Sequence, residues 1–156
     1  MTDESIRATA EVAAPLAVVF GLLADPATHA AIDGTGRVRG PIDTEHLTAP
    51  GQIFRMAMYH ENHPDGTYET VNRVRVFEPP TAISWETGYD PGDGSLRFGG
   101  WFWRYDLTAA GPGTRATLSY DWSAVPDSVR EYLNFPPFPA HHLDASLRRL
   151  VELVTT

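Results

Sequence analysis

Hydrophobic and polar residues alternate over long stretches of the chain, and this pattern predicts several strands with one buried face. Residues 6–12 show it first, with apolar side chains at every second position. Pro15 ends this strand and suits the first position of a helix, which apolar residues at helical spacing then continue. Asp25, followed by a proline, repeats the start signal and predicts a second short helix that ends near Ile32.

The alternation returns after these two helices and predicts an antiparallel meander. A weak strand is expected at residues 37–38, and turn residues such as 63–66 (HPDG) separate the stronger strands that follow. One of these strands is expected to turn both Val74 and Val76 towards the core. The stronger strands are expected at residues 52–61, 67–77, 83–87, 101–107 and 116–122.

A long amphipathic helix is expected near the end of the sequence. A short helix over residues 126–133 precedes a proline-rich segment, 135–139 (FPPFP), that cannot continue it. Between residues 140 and 154, apolar side chains recur at helical spacing and form a continuous stripe. A sheet that buries this stripe is an α+β arrangement. The stripe consists of Leu143, Leu147, Leu150, Val151 and Val154.

The inward faces of the predicted strands carry many aromatic side chains together with polar ones. An aromatic core would explain the rings alone, because buried aromatic residues are ordinary packing elements. Asn72, His60 and Thr87 fall on the same faces, however, and ligand cavities combine apolar walls with a few polar groups. We therefore expect a ligand cavity. Its expected lining is Phe54, Met56, Met58, Asn72, Trp85, Trp101, Trp103, Tyr105, Tyr120, Trp122, Leu143 and Leu147.

Composition and charge narrow the range of partners. Hydrophobic residues make up 42% of the 156 residues and charged residues 21%, which fits one folded domain over residues 1–156. The net charge of −8 opposes binding to nucleic acid and to anionic membrane surfaces. Because cysteine is absent, thiolate metal sites are excluded, and we expect no metal or other cofactor. The lack of a membrane-spanning apolar stretch and the acidic first residues predict no membrane insertion and a cytoplasmic location.

Three short segments carry a resemblance to a known family. Residues 18–26 (VVFGLLADP) lie in the helical insertion, and residues 78–85 (EPPTAISW) and 113–115 (GTR) lie at turns of the meander. With the order of elements, they resemble the START and polyketide-cyclase superfamily, also called SRPBCC, over nearly the whole chain. The resemblance implies a helix-grip fold, with a deep cavity between sheet and C-terminal helix, and small hydrophobic ligands such as lipids, polyketides or other aromatic compounds. It does not imply one reaction, because the superfamily mixes carriers, binding proteins and enzymes.

Few groups in the sequence point to a reaction. Residues 60–63 (HENH) suggest a metal site at first sight, but they lack the helical spacing and the third ligand of a zinc-protease motif. On a helical wheel Asp144 lies at the edge of the apolar stripe, and His141 lies beyond it on the same side, so the two could pair for proton transfer. The simpler interpretation is an aspartate that favours the helix dipole beside an exposed histidine. The candidate catalytic residues are His141, Asp144 and His60.

Two functions remain open at this point. One is the binding or carrying of a small hydrophobic or aromatic molecule. The other is a polyketide cyclase or aromatase type of enzyme, which shapes a flexible substrate and supplies one or two proton-transfer groups. A protein-interaction role is a third possibility, for which the sequence shows no distinctive patch. Residues 132–139 either cover a cavity entrance, as the resemblance implies, or connect two elements along the sheet edge.

Overall fold

An antiparallel sheet of seven strands forms the body of the structure, a computed structural model that describes residues 4–32, 38–42, 46–59, 67–92, 95–131 and 141–155. The sheet order is β1-β7-β6-β5-β4-β3-β2, so the first strand pairs with the last one and the others form the predicted meander. The strands are β1 (Ser5–Val12), β2 (Val38–Pro41), β3 (Ile53–Tyr59), β4 (Thr67–Glu78), β5 (Ala82–Tyr89), β6 (Arg97–Ala110) and β7 (Gly113–Asp121).

Three short helical segments follow β1, and the last two are continuous and lie where the second helix is predicted. Asp25 caps the second of them, because its Oδ1 accepts a hydrogen bond of 3.0 Å from the backbone N–H of Ala27. Helix α1 buries Val19, Phe20 and Leu23 against the core. The segments are α1 (Leu16–Leu23), a 3-10 turn (Pro26–Thr28) and α2 (His29–Ile32).

The helix predicted over residues 126–133 is shorter than expected. Helix α3 (Asp127–Arg130) ends where the Arg130 guanidinium turns back to the end of the sheet. Its Nη2 donates to the carbonyl oxygen of Trp122 at 2.8 Å, and its Nη1 lies 3.2 Å from a carboxylate oxygen of Glu4. These bonds tie the segment after β7 to the segment before β1. The proline-rich segment predicted at residues 135–139 lies outside the described residues.

Helix α4 (His141–Thr155) covers one side of the sheet with its apolar stripe. Leu143, Leu147 and Leu150 are fully buried, and Val151 and Val154 pack against them from the helix flank. The helix contacts β1, β7 and α2. The prediction that this stripe is buried against the sheet is confirmed. None of the helices in the described ranges is long and apolar enough to cross a membrane.

Cross-strand register defines two faces of the sheet. We call the face against α4 the inner face, and the opposite one the outer face. In register across β1, β7, β6, β5 and β4, the inner face carries Ile6, Tyr120, Trp103, Trp85 and Val74. The outer face carries, one position along, Arg7, Ser119, Arg104 and Ser84.

One inward position differs from the sequence prediction. A β-bulge interrupts β4 between Val74 and Val76 and shifts its register against β5. Phe77 therefore lies opposite Ile83 and packs against the core, with its ring 5.2 Å from that of Phe20. The expectation that Val76 points inward is wrong, because strict alternation does not count the extra residue of a bulge.

Candidate functional site

Aromatic rings meet one another across the inner face and form a continuous wall. The ring centroids of Trp103 and Tyr120 are 4.7 Å apart, and those of Tyr120 and Trp122 are 5.9 Å apart. On β5, which pairs with the other edge of β6, the ring centroid of Trp85 lies 6.1 Å from the ring centroid of Tyr105. We call these five side chains, together with Trp101 on the same strand β6, the aromatic wall. They come together because the pairing of β5, β6 and β7 places every second residue on this face.

The wall changes from sealed to accessible along β6. Tyr105, near the centre of the strand, is 3% exposed, whereas Trp103 and Trp101 are only partly buried. Met58 on β3 is also partly buried and packs against the same cluster. Apolar surface on this side of the sheet therefore reaches the exterior of the described structure.

Gly99 positions the tryptophan at the accessible end of the wall. A Cβ atom added at Gly99 would overlap the indole of Trp101, which lies back over the strand. The next residue, Gly100, has a φ of +97°, which favours glycine. Two successive glycines thus let β6 bend and present Trp101.

A buried histidine closes the sealed end of the wall. The His29 ring stacks on Trp85 with a centroid distance of 4.8 Å and an interplanar angle of 18°. The ring of Phe54 meets His29 edge-on at 5.5 Å and Trp85 at 6.0 Å. His29 is only 7% exposed. Helix α2 places this imidazole against β3 and β5 because it starts at His29, directly after the capped 3-10 turn.

Hydrogen bonding fixes the state of this imidazole. Its Nε2 lies 2.9 Å from the carbonyl oxygen of Leu23, and a carbonyl oxygen only accepts, so Nε2 carries the proton. Burial lowers the pKa of His29 below its ordinary value of 6.5, while the bond to Leu23 and the charge of Asp25 act in the opposite direction. At neutral pH the ring is therefore uncharged, and Nδ1 holds a lone pair.

Two inward polar side chains bond to each other and to the backbone. Thr87 Oγ1 donates to Asn72 Oδ1 at 2.7 Å, and Asn72 Nδ2 donates to the carbonyl oxygen of Phe54 at 3.4 Å. This arrangement satisfies the amide of Asn72 within the sheet. Hydrogen bonds between β3, β4 and β5 therefore explain part of the polar character that was predicted for the inner face.

The structure brings the predicted lining residues together in and around one cluster. Phe54, Met56, Trp85, Tyr105, Tyr120, Trp122, Leu143 and Leu147 are buried members of it, and Met58, Trp101 and Trp103 pack against it. Asn72 is buried beside Phe54 on the next strand.

Two of the candidate catalytic residues, His141 and Asp144, are not members of this cluster. His141 and Asp144 are both exposed in the first turn of α4, and no hydrogen bond or ion pair joins them in the described structure. The His141 ring instead lies 4.8 Å from that of His142. His60, with the whole segment 60–63, is outside the described residues. Within the ranges that are described, no three His, Asp or Glu side chains form a cluster that could hold a metal ion.

A concave groove lies on the surface, away from the aromatic wall. Its volume is about 460 Å³, and it runs between α2 and α4 on the side of α4 away from the leucine stripe. None of the predicted lining residues is among the described residues that line it. These are Ala31, Ala145, Arg148, Arg149, Glu152 and Leu153.

His29 is the polar residue that the sequence interpretation missed. Pro26 and Ile32, three residues before and after it, are both buried, so His29 shares the apolar side of a helical segment. That spacing was the available signal. It was weak because the segment is short and because nothing in the sequence shows which strand it packs against.

Solved structures with this architecture identify the fold. Protein CV1439 from Chromobacterium violaceum superposes with a TM-score of 0.68 at 20% identity, over 98% of this chain and 98% of that chain. The chain has the helix-grip fold. The di-domain ARO/CYC BexL from the BE-7585A biosynthetic pathway shares the helix-grip fold with a TM-score of 0.54 at 19% identity, over 97% of this chain and 46% of BexL. The resemblance to the START and polyketide-cyclase superfamily is thus confirmed at the level of the fold.

Two curated proteins match this helix-grip chain in sequence. No family model matches it. Uncharacterized protein Rv0088 of Mycobacterium tuberculosis is 29% identical over 131 residues, which are 83% of this chain and 52% of the relative. Uncharacterized protein MT0096, from another strain of the same organism, matches with the same identity and coverage. The chain spans about half the length of the curated relatives it matches.

Proposed function

We propose that this chain binds or carries a small hydrophobic or aromatic molecule, lipid-like or polyketide-like, against the aromatic wall. The observation that carries the proposal is the change in burial along the wall, from sealed Tyr105 to partly exposed Trp103 and Trp101. Each indole carries a large apolar area, and covering the part that is still exposed would stabilise a bound apolar molecule. Here part of that area is available to a ligand.

The chemistry of the accessible end suits a flat apolar ligand. Indole faces stack on aromatic rings, so the accessible rings of Trp101 and Trp103 suit a flat aromatic molecule. The helix-grip fold supports the same proposal, because the ARO/CYC protein BexL has it as well.

Fluorescence titration with naphthalene tests the proposal directly. Binding beside Trp101 and Trp103 should change tryptophan emission, with a dissociation constant in the micromolar range, about −8 kcal/mol. Trp103→Ala removes a partly exposed indole of the wall and should weaken binding roughly tenfold, about 1.4 kcal/mol. Naphthalene that leaves the emission unchanged up to its solubility limit in water would contradict the proposal.

Arg149→Ala is the matched control, because Arg149 lines the groove between α2 and α4 and not the wall. It should leave naphthalene affinity unchanged. If Arg149→Ala weakens binding and Trp103→Ala does not, the ligand occupies the groove and the proposed site is wrong. Native mass spectrometry of freshly purified protein would then identify any molecule that it carries.

A polyketide cyclase or aromatase type of enzyme is the second candidate. The observation that favours it is an uncharged, buried imidazole at the sealed end of the wall, since a neutral imidazole can accept a proton. His141, Asp144 and His60 remain the proposed acid and base groups from the sequence. If Asp144 acts as a base, Asp144→Asn should lower the turnover of a polyketide substrate about 100-fold and leave its affinity unchanged. Equal turnover in both proteins would exclude Asp144 from catalysis.

A further inference from the structure

His29 is a polar group beside the aromatic wall, and binding of an apolar molecule to the wall does not by itself require its imidazole. Its ring is held on two sides, by the face of Trp85 and by the edge of Phe54. These contacts fix the plane of the ring, and the bond from Nε2 to Leu23 fixes its rotation. The imidazole is therefore a rigid group, in the sense that a binding site requires of its polar anchors.

The second ring nitrogen is available as an acceptor. Nε2 is used by Leu23, and the described residues give the imidazole no other hydrogen bond. The lone pair of Nδ1 lies in the plane of the ring, which is nearly parallel to the Trp85 indole at 18°. Trp85 pairs with the partly exposed Trp103 across the strands, so a flat ligand stacked on Trp103 would lie in the same layer as His29 and in the plane of this lone pair.

The surroundings of Nδ1 determine which ligand group can donate a hydrogen bond to it. A ligand that covers Nδ1 without donating a hydrogen bond leaves this acceptor unpaired at a cost in free energy, so a ligand that donates gains over one that does not. A carboxylate has no proton to donate, and an ammonium group would lose its hydration among Trp85 and Phe54. A neutral hydroxyl on an aromatic or conjugated ring meets both requirements.

We infer that His29 Nδ1 accepts a hydrogen bond from a hydroxyl group of the bound molecule, so that the wall selects phenols and enols over hydrocarbons of the same shape. The inference rests on the proposed function, because it assigns the ligand class of that same site. The lowered pKa of His29 supports it, since an uncharged ring keeps its acceptor at neutral pH.

Two probes of nearly equal shape test the inference: 2-naphthol, which donates a hydrogen bond, and 2-methoxynaphthalene, which does not. The wild-type protein should bind 2-naphthol roughly tenfold more tightly. His29→Phe keeps an aromatic ring on Trp85 and removes the acceptor, so both probes should bind with the affinity of 2-methoxynaphthalene. Wild-type protein that binds the two probes equally overturns the inference and leaves the proposed function intact. Wild-type protein that binds neither probe refutes the proposed function itself.

A second variant and a spectrum separate recognition from folding. His29→Gln keeps an N–H that can donate to Leu23 and an amide oxygen that can accept, so it should retain part of the preference for 2-naphthol that His29→Phe loses. In the wild-type protein, the ¹⁵N resonance of His29 Nδ1 should shift on addition of 2-naphthol and stay in place on addition of 2-methoxynaphthalene. An unchanged Nδ1 resonance in saturating 2-naphthol would overturn the inference, even if His29→Phe fails to fold.

Discussion

The two faces of the sheet both carry aromatic side chains, but different groups cover them. On the outer face, the Arg73 guanidinium lies 4.2 Å from the ring centroid of Phe98. The Arg75 guanidinium lies 3.8 Å from the ring centroid of Phe102. Arg73 also forms an ion pair with Glu86 on the neighbouring strand. On the inner face, rings pack on rings and on the neutral imidazole of His29.

The comparison shows that aromatic content alone does not mark a ligand site. A cation over a ring contributes about 0.5–1 kcal/mol at an exposed position, and its alkyl stem covers the ring from solvent. The outer phenylalanines therefore already have a partner within the chain. The inner indoles of Trp101 and Trp103 keep accessible apolar surface, which is the property that a ligand can use.

Removing residues 140–156 should have the largest effect of these changes, because it removes helix α4, which covers the inner face and not the outer one. The truncation exposes the surface against which Leu143, Leu147 and Leu150 pack, and each buried leucine contributes about 1.5–3 kcal/mol. The sum is comparable to the whole stability of a domain, so near-ultraviolet circular dichroism should be lost. A control that removes only residues 155–156 should keep its dichroism. A cooperative thermal transition in the longer truncation would show that α4 does not hold the sheet together.

Replacing one phenylalanine by alanine on each face should give the next largest effect on the free energy of unfolding. Phe54→Ala removes a ring that is 1% exposed and touches Trp85 and His29, which should cost about 3–5 kcal/mol of unfolding free energy. Phe102→Ala removes a half-buried ring under Arg75, and about 1 kcal/mol is expected. Urea denaturation measures both. Equal losses would remove the distinction between the faces.

Acid should weaken the inner face through His29. Its pKa is lowered by burial in the folded protein, so the unfolded chain takes up a proton at higher pH than the folded one. The contribution to stability is complete above about pH 6.5 and is lost as the pH falls towards the folded-state pKa, at up to ~1.4 kcal/mol per pH unit. His29→Gln should show a flatter stability profile between pH 7 and 5, measured by urea denaturation. The exposed His141→Gln serves as control and should follow the wild type; parallel profiles for all three proteins would contradict this account.

Arg75→Ala should have the smallest effect. It uncovers Phe102 on the outer face, and the expected loss is about 0.5–1 kcal/mol in thermal or urea unfolding. Naphthalene affinity should stay at the wild-type value, because Arg75 and the aromatic wall lie on opposite faces. A weaker affinity in Arg75→Ala would place the ligand on the outer face.

The sequence predicted the strands well because a strand with one buried face needs alternation and little else. It failed at Val76, where a bulge adds a residue that no alternation rule anticipates. It also failed to find His29, whose neighbours come from β3 and β5 and are distant in sequence. Periodicity identifies which residues share a face, whereas the group opposite each of them depends on how the elements pack. The exposed positions of His141 and Asp144 on a correctly predicted helix illustrate the same limit.

The pairing of the first strand with the last has a consequence for how the chain folds. Thr9 and Thr117 hydrogen-bond through their side chains at 3.1 Å, although 108 positions separate them. Closing so long a loop costs chain entropy before any contact across it stabilises the sheet. The hairpins from β3 to β7 join near neighbours and can form first, so we expect β1 to dock late and the overall folding rate to be low for a domain of this size. During synthesis, β1 must wait for its partner until β7 has left the ribosome.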